Sequence, residues 1–133
     1  MPLVRIALLE GKRPAFKRDI ADAVHRALVA TINVPARDRF QLVTELGRDD
    51  FIYDPEYLGI ARSRDLVIIQ ITLSAGRSLE QKRSLYRRIA DNLAAAVRLR
   101  REDAWINLIE VARENWSFGN GVASYAPADP QHA

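Results

Sequence analysis

RDRFQLVTEL, residues 37–46, has a counterpart about 65 residues further on in EDAWINLIEV, residues 102–111. Laid over each other, Asp38 falls on Asp103, Phe40 on Trp105 and Glu45 on Glu110. Each copy is a short apolar run headed by an aromatic residue, which predicts a strand. Upstream of the first copy, Phe16, Ile20, Val24, Ala27, Leu28 and Ile32 recur at the spacing of one helical face. Asn33 and Pro35 stop that helix, and before Gly11 the run Leu3–Leu9, broken only by Arg5, predicts a strand covered on both faces.

The second half repeats the order. DLVIIQITL (65–73) predicts a strand, and Leu79, Leu85, Ile89, Leu93 and Val97 mark the inner side of a helix. Ser78 with Gln81 three residues later is a capping-box signature at its start. Ile20, Val24 and Leu28 fall on Leu85, Ile89 and Leu93, so the repeat extends through the helices. The expected fold class is α/β: a doubled β-α-β unit, halves about 2–46 and 65–111, within a single domain 1–133. A right-handed crossover in each half gives two parallel strand pairs, and side by side they make a four-stranded mixed sheet with both helices on one face. The other face is then bare and needs cover, for which another copy of the chain is the expected source.

The 133 residues suit one domain, and an apolar fraction of 48% is enough for a core without metals or disulfides. With no cysteine there is neither a disulfide scaffold nor a thiol nucleophile. The net charge of +3 is spread among carboxylates on the helices and not gathered in one tract, which argues against nucleic-acid binding. No apolar run approaches the ~20 residues of a membrane span, and the start lacks a signal-peptide layout, so a cytoplasmic protein is expected. Between the halves, GRDDFIYDPEYLGIARSR (47–64) is long for a plain connector and predicts a loop or short strand with a packing or binding role. After the last strand, ENWSFGNGVASYAP (114–127) has glycines for a hairpin and aromatics at Trp116, Phe118 and Tyr125, and a frayed tail is expected beyond it. His25 reads as structural or solvated, and His25 and His132 lie too far apart in sequence to suggest a metal site.

The remaining feature is Pro2. A small residue behind Met1 permits removal of the methionine, so the mature chain is expected to begin with a prolyl amine, a base. If Met1 stays, the nitrogen of Pro2 is an amide without a basic lone pair. Taken alone, Asp38 also reads as a turn residue, Arg77 as a solvated residue at a helix start, and Trp116 and Phe118 as core.

PLVRIALLEG at the start, VPARDRFQ after the first helix, SAGRSLEQKRSLYRRIADNL at the second and ENWSFGNG near the end together resemble the tautomerase superfamily, most closely its malonate semialdehyde decarboxylase branch. The resemblance runs in order along nearly the whole chain. It implies a homotrimer acting on a small carboxylate, without metal or organic cofactor, and with neither nucleic acid nor membrane as partner. Pro2 would be the catalytic acid or base, Asp38 its polar partner and Arg77 the carboxylate binder, with Trp116, Phe118 and Tyr125 as apolar wall. An ordinary α-amino group titrates near pKa ~7.7–8.0, and burial beside a cation would push a prolyl amine down toward ~7, poised for proton transfer at working pH. Keto–enol tautomerisation of a 2-oxo carboxylate is the first expectation. Decarboxylation of a 3-oxo acid such as malonate semialdehyde, with Pro2 protonated, is the second, and hydration of an unsaturated acid uses the same parts. Decarboxylases of that branch carry arginines spaced R-x-R where this chain reads Ala75-Gly76-Arg77, so Arg39, or Arg37, is the candidate second cation. The non-enzymatic alternative is a small oligomeric domain whose aromatic tail is an interface.

Overall fold

The structure, a computed structural model, describes residues 2–132 apart from the side chain of His132; Met1 and Ala133, and with Met1 the expectation of its removal, lie outside the described residues. Strands β1 (Leu3–Leu9), β2 (Phe40–Leu46), β3 (Val67–Ser74) and β4 (Ala104–Val111) form one sheet in the order β2-β1-β3-β4. β1 runs parallel to β2 and β3 parallel to β4, while the two central strands meet antiparallel, with Leu3 opposite Thr72 and Ile6 opposite Ile69. Helix α1 (Pro14–Ile32) links β1 to β2, and α2 (Leu79–Val97) links β3 to β4. This is the expected four-stranded mixed sheet with two helices.

Strand alternation sorts the side chains by face. Val4, Ile6, Leu8, Val67, Ile69, Ile71 and Leu73 are buried in one cluster with Ile20, Val24 and Leu28 of α1 and Leu85, Ile89 and Leu93 of α2. The helices pack on each other, and Asn92 Nδ2 donates to the Ala23 carbonyl at 3.0 Å. Leu79, expected inside, is 61% exposed. It shares the angular position of Val97, which packs on the core, but it occupies the first position of α2, where a side chain leaning toward the helix N-terminus projects past the packed turns.

The capping box forms as expected, with the Ser78 hydroxyl accepting from the Gln81 N–H and the Gln81 side chain accepting from the Ser78 N–H. Asn33 and Arg98 close the two helices in the same left-handed conformation, φ 59° and 56°, one repeat apart. The repeat also shows in ion pairs: Lys17 with Glu45 in the first half, Lys82 with Glu110 in the second.

The opposite sheet face carries Phe40 and Leu42 of β2, Arg5 of β1, and Trp105 and Ile109 of β4, all exposed. On that face β1 is covered within the chain at Leu9, by Phe51 and Leu66, while Arg5 is left exposed, so its second face is only partly covered. Residues 47–66 form a loop with a single 3-10 turn at Tyr57–Gly59. The expected C-terminal hairpin closes without paired strands. Left-handed or glycine-only φ at Gly119, Asn120 and Gly121 stacks turn upon turn, and Ser124 holds the loop, its N–H donating to the Trp116 carbonyl at 3.0 Å and its Oγ accepting from the Phe118 N–H at 2.9 Å.

Two carboxylates sit below the ordinary range. The Arg39 hydrogen bond lowers Asp22, and the Lys82 hydrogen bond lowers Glu110. Because the lowered value belongs to the folded state, this stabilisation is full above the unfolded carboxylate pKa of about 4 and fades as pH falls through the lowered values. Arg39→Gln should accordingly flatten the loss of urea midpoint with acidification below about pH 4, leaving the midpoint slope above it unchanged. A slope identical to the parent throughout would remove Asp22 from the acid limb.

Candidate active site

Pro2 stands just before Leu3, and Leu3 is opposite both Phe40 of β2 and Thr72 of β3. The proline therefore sits in the middle of one end of the sheet, where β1 and β2 start and β3 and β4 finish. It is buried. Proline suits this position because no ladder bond is asked of its nitrogen there.

Asp38 reaches the same end two residues before Phe40. It is half-buried in a turn closed by its own N–H donating to the Pro35 carbonyl at 3.0 Å. From α1, buried His25 braces that turn with Nε2 donating to the Ala36 carbonyl at 2.7 Å, a structural role as expected.

Arg77 lies beyond the end of β3 in the turn Ser74-Ala75-Gly76-Arg77. Gly76 has φ +127°, a conformation that strains any side chain, and here it bends the chain so that Arg77 folds back. The Ala75 N–H donates to the Val111 carbonyl at 2.9 Å and the Gly76 N–H to the Glu110 carboxylate, tying the turn to β4. Arg77 Nη1 donates to the Ser74 carbonyl at 3.0 Å.

Trp116 and Phe118 stack with centroids 5.3 Å apart, and Phe118 stacks in turn on Phe40 at 6.3 Å. Tyr125 meets Phe118 edge-on at 5.4 Å and carries the Arg113 guanidinium 4.8 Å over its ring. Phe40 belongs to the open face, so this row of rings runs from the β3 side to the β2 side past the start of β1. Trp116 is anchored by Nε1 donating to Ser74 Oγ at 3.0 Å.

The expected residues Pro2, Asp38, Arg77, Trp116, Phe118 and Tyr125 thus all belong to one end of the sheet. Arg39 does not join them. Strand alternation turns it to the helix side, where Nη2 donates to Asp22 Oδ1 at 2.5 Å and Nε to Gln41 Oε1 at 2.7 Å. Arg37 is exposed in the preceding turn. Phe40, Ser74 and Arg113 were not singled out from the sequence: Phe40 reads as a strand residue, Ser74 only ends an apolar run, and Arg113 has no pattern around it. Asp103, the repeat partner of Asp38, is 1% exposed and spends its carboxylate on Ser63, accepting from the backbone N–H and from the hydroxyl at 2.7 Å each.

Two models of the tautomerase enzyme family match residues 38–119 and residues 2–61. The probable tautomerase YusQ of Bacillus subtilis (strain 168) is 38% identical over 123 residues, covering 92% of this chain and 97% of the relative. Among solved structures, FG41 malonate semialdehyde decarboxylase inhibited by 3-bromopropiolate is 41% identical, with a TM-score of 0.87 over 92% of this chain and 93% of that one. A second malonate semialdehyde decarboxylase, studied for its decarboxylase and hydratase activities and including a proline-to-alanine mutant, is 31% identical with a TM-score of 0.86 over 92% and 94% of the two chains. A fused 4-OT described as a symmetric trimer shares the fold at 23% identity, TM-score 0.76, over 93% and 99%.

Proposed function

This chain belongs to the tautomerase family of enzymes, and we propose that it uses the amine of Pro2, freed by removal of Met1, to interconvert the enol and keto forms of a small 2-oxo carboxylate. The observation that carries this reading is the meeting, at one end of the sheet, of a buried proline with a guanidinium and a row of stacked rings. A neutral secondary amine takes the enol hydroxyl proton and returns it to the adjacent carbon, which needs no group beyond the amine itself. Arg77 offers its planar fork to the substrate carboxylate. The rings cover the planar enol and keep water from it, and Asp38 orients the amine as it becomes charged. The bare sheet face is covered by further copies, in a trimer of the kind named for the fused 4-OT.

A second reading has support of its own. The likeness to two malonate semialdehyde decarboxylases favours decarboxylation of a 3-oxo acid, in which a protonated Pro2 polarises the carbonyl and the carbanion left by carbon dioxide is held as an enol.

Ultraviolet-monitored ketonisation of phenylenolpyruvate and carbon dioxide release from malonate semialdehyde, both followed against pH, separate the two readings. Tautomerisation requires ketonisation to be the faster reaction and to rise through an apparent pKa near ~7 as the amine loses its proton. Faster carbon dioxide release that falls through the same pKa would hand the site to decarboxylation. Under either reading Arg77→Ala raises KM by roughly 10- to 100-fold, with a smaller change in kcat, because charge-assisted bonds to the carboxylate are worth about 1.5–3 kcal/mol. An unchanged KM would remove Arg77 from the carboxylate.

A further inference from the structure

We propose that Ser74 is a positioning residue of this site, a role that rests on the tautomerase reading above: one buried serine fixes both the stacked rings and the guanidinium, and so sets the gap that a substrate enters. Ser74 is 1% exposed. An indole N–H can only donate, so the 3.0 Å bond from Trp116 Nε1 uses Ser74 Oγ as its acceptor. The carbonyl of the same residue accepts from Arg77 Nη1. Ser74 thus bonds both Arg77 and the row of rings. With the indole held, Trp116 lies within 20° of parallel to Phe118, and Phe118 within 12° of Phe40. Released, the indole would turn about its side-chain torsions and carry the row with it.

The other half of the chain shows that the fold itself does not need this bond. One repeat earlier, the place of Ser74 is held by Leu9 and those of Trp116 and Phe118 by Phe51 and Tyr53. There, Leu9 packs with Phe51 and Leu66 in a small apolar cluster, and Phe51 meets Tyr53 edge-on at 4.9 Å and 63°. Plain apolar contact therefore serves the same architectural position. In the half that carries Arg77 the contact has become a directed hydrogen bond, and the rings beside it lie nearly parallel instead of edge-on.

The test uses the full chain with Trp105→Phe, so that emission reports Trp116 alone. In that background Ser74→Ala should move Trp116 emission and lower kcat/KM for ketonisation about tenfold, chiefly in kcat, since Arg77 keeps its backbone acceptor; one hydrogen bond is worth about that factor. Ser74→Thr, which restores the hydroxyl, should recover most of the rate. Trp116→Phe, which has no N–H to donate, should make the subsequent Ser74→Ala nearly silent. The double variant Ser74→Leu with Trp116→Phe rebuilds the apolar pair of the first half, so it should fold with a near-parental urea midpoint and stay slow. Additive effects in the cycle, or a double variant as fast as the parent, would overturn the proposal. If the parent shows no Pro2-dependent turnover, the functional reading fails, and Ser74 is then judged by quenching of Trp116 with pyruvate. A parental quench curve in Ser74→Ala overturns its role as well, and a weakened one sustains it.

Discussion

Pro2→Ala, in protein shown by mass spectrometry to lack Met1, lowers kcat/KM for phenylenolpyruvate ketonisation by roughly a hundredfold or more. General acid–base catalysis by a positioned group contributes about 10²- to 10⁴-fold. Alanine still leaves a terminal amine, but a primary and flexible one, so the loss comes from misplacement of the lone pair as well as from its altered basicity. The proline ring ties the nitrogen to its own side chain and so holds the lone pair in one direction at the head of β1. Folding should survive the change, because Pro2 precedes Leu3, where strand pairing begins, and no ladder bond is removed. A urea midpoint close to the parent, together with the lost rate, separates chemistry from collapse. A variant within about tenfold of the parent would put the proton transfer on another residue.

The second large effect falls on stability. Asp103→Ala should cost roughly 3 kcal/mol in urea unfolding, because hydrogen bonds to a charged group are worth about 1.5–3 kcal/mol and the variant leaves both Ser63 donors without their acceptor. Asp103 joins the linker between the halves to the turn that opens β4, and Arg100 Nε lies 3.5 Å from its Oδ2. Asp103→Asn keeps one carbonyl acceptor and should lose about half as much. At the equivalent point of the first half, Asp38→Ala should do the reverse: a small change in midpoint with a large fall in kcat. The two acids occupy one position of the repeat, yet one closes a core loop and the other stands in the turn before β2, at the Pro2 end of the sheet. A loss below about 1 kcal/mol for Asp103→Ala would refute the structural assignment.

The fold was legible because doubling amplifies weak signals. A single run such as FQLVTEL is ambiguous between strand and buried helix, but its return as WINLIEV at the same distance from a second amphipathic helix removes the ambiguity. The capping box at Ser78 and the helix stop at Asn33 were read from local chemistry and depend on nothing distant. Leu79 misled because it is apolar and in phase with Val97, while its place at the very start of α2 leaves it outside the core.

The site was half legible. Pro2, Asp38, Arg77, Trp116 and Phe118 were singled out because the motifs that contain them resemble a family, and the fold places them at one end of the sheet. Arg39 lies away from them for a physical reason: just before β2 its side chain turns to the face opposite Phe40, where it meets Asp22. Ser74 and Phe40 carry no mark of a site in the sequence, where Phe40 reads only as the head of a repeated strand and Ser74 as the end of one.

By itself the sequence determined the element order, the internal repeat, the helix ends and the residue types available for chemistry, because each of these is set by neighbours within one turn or one strand. Only the tertiary structure decided which side chains face one another. The antiparallel meeting of β1 with β3 brings residue 2 beside residues 72–77, and the last loop returns over both, so the bond from Trp116 to Ser74 joins positions 42 residues apart. No local pattern encodes such a contact; it exists once the two halves have paired.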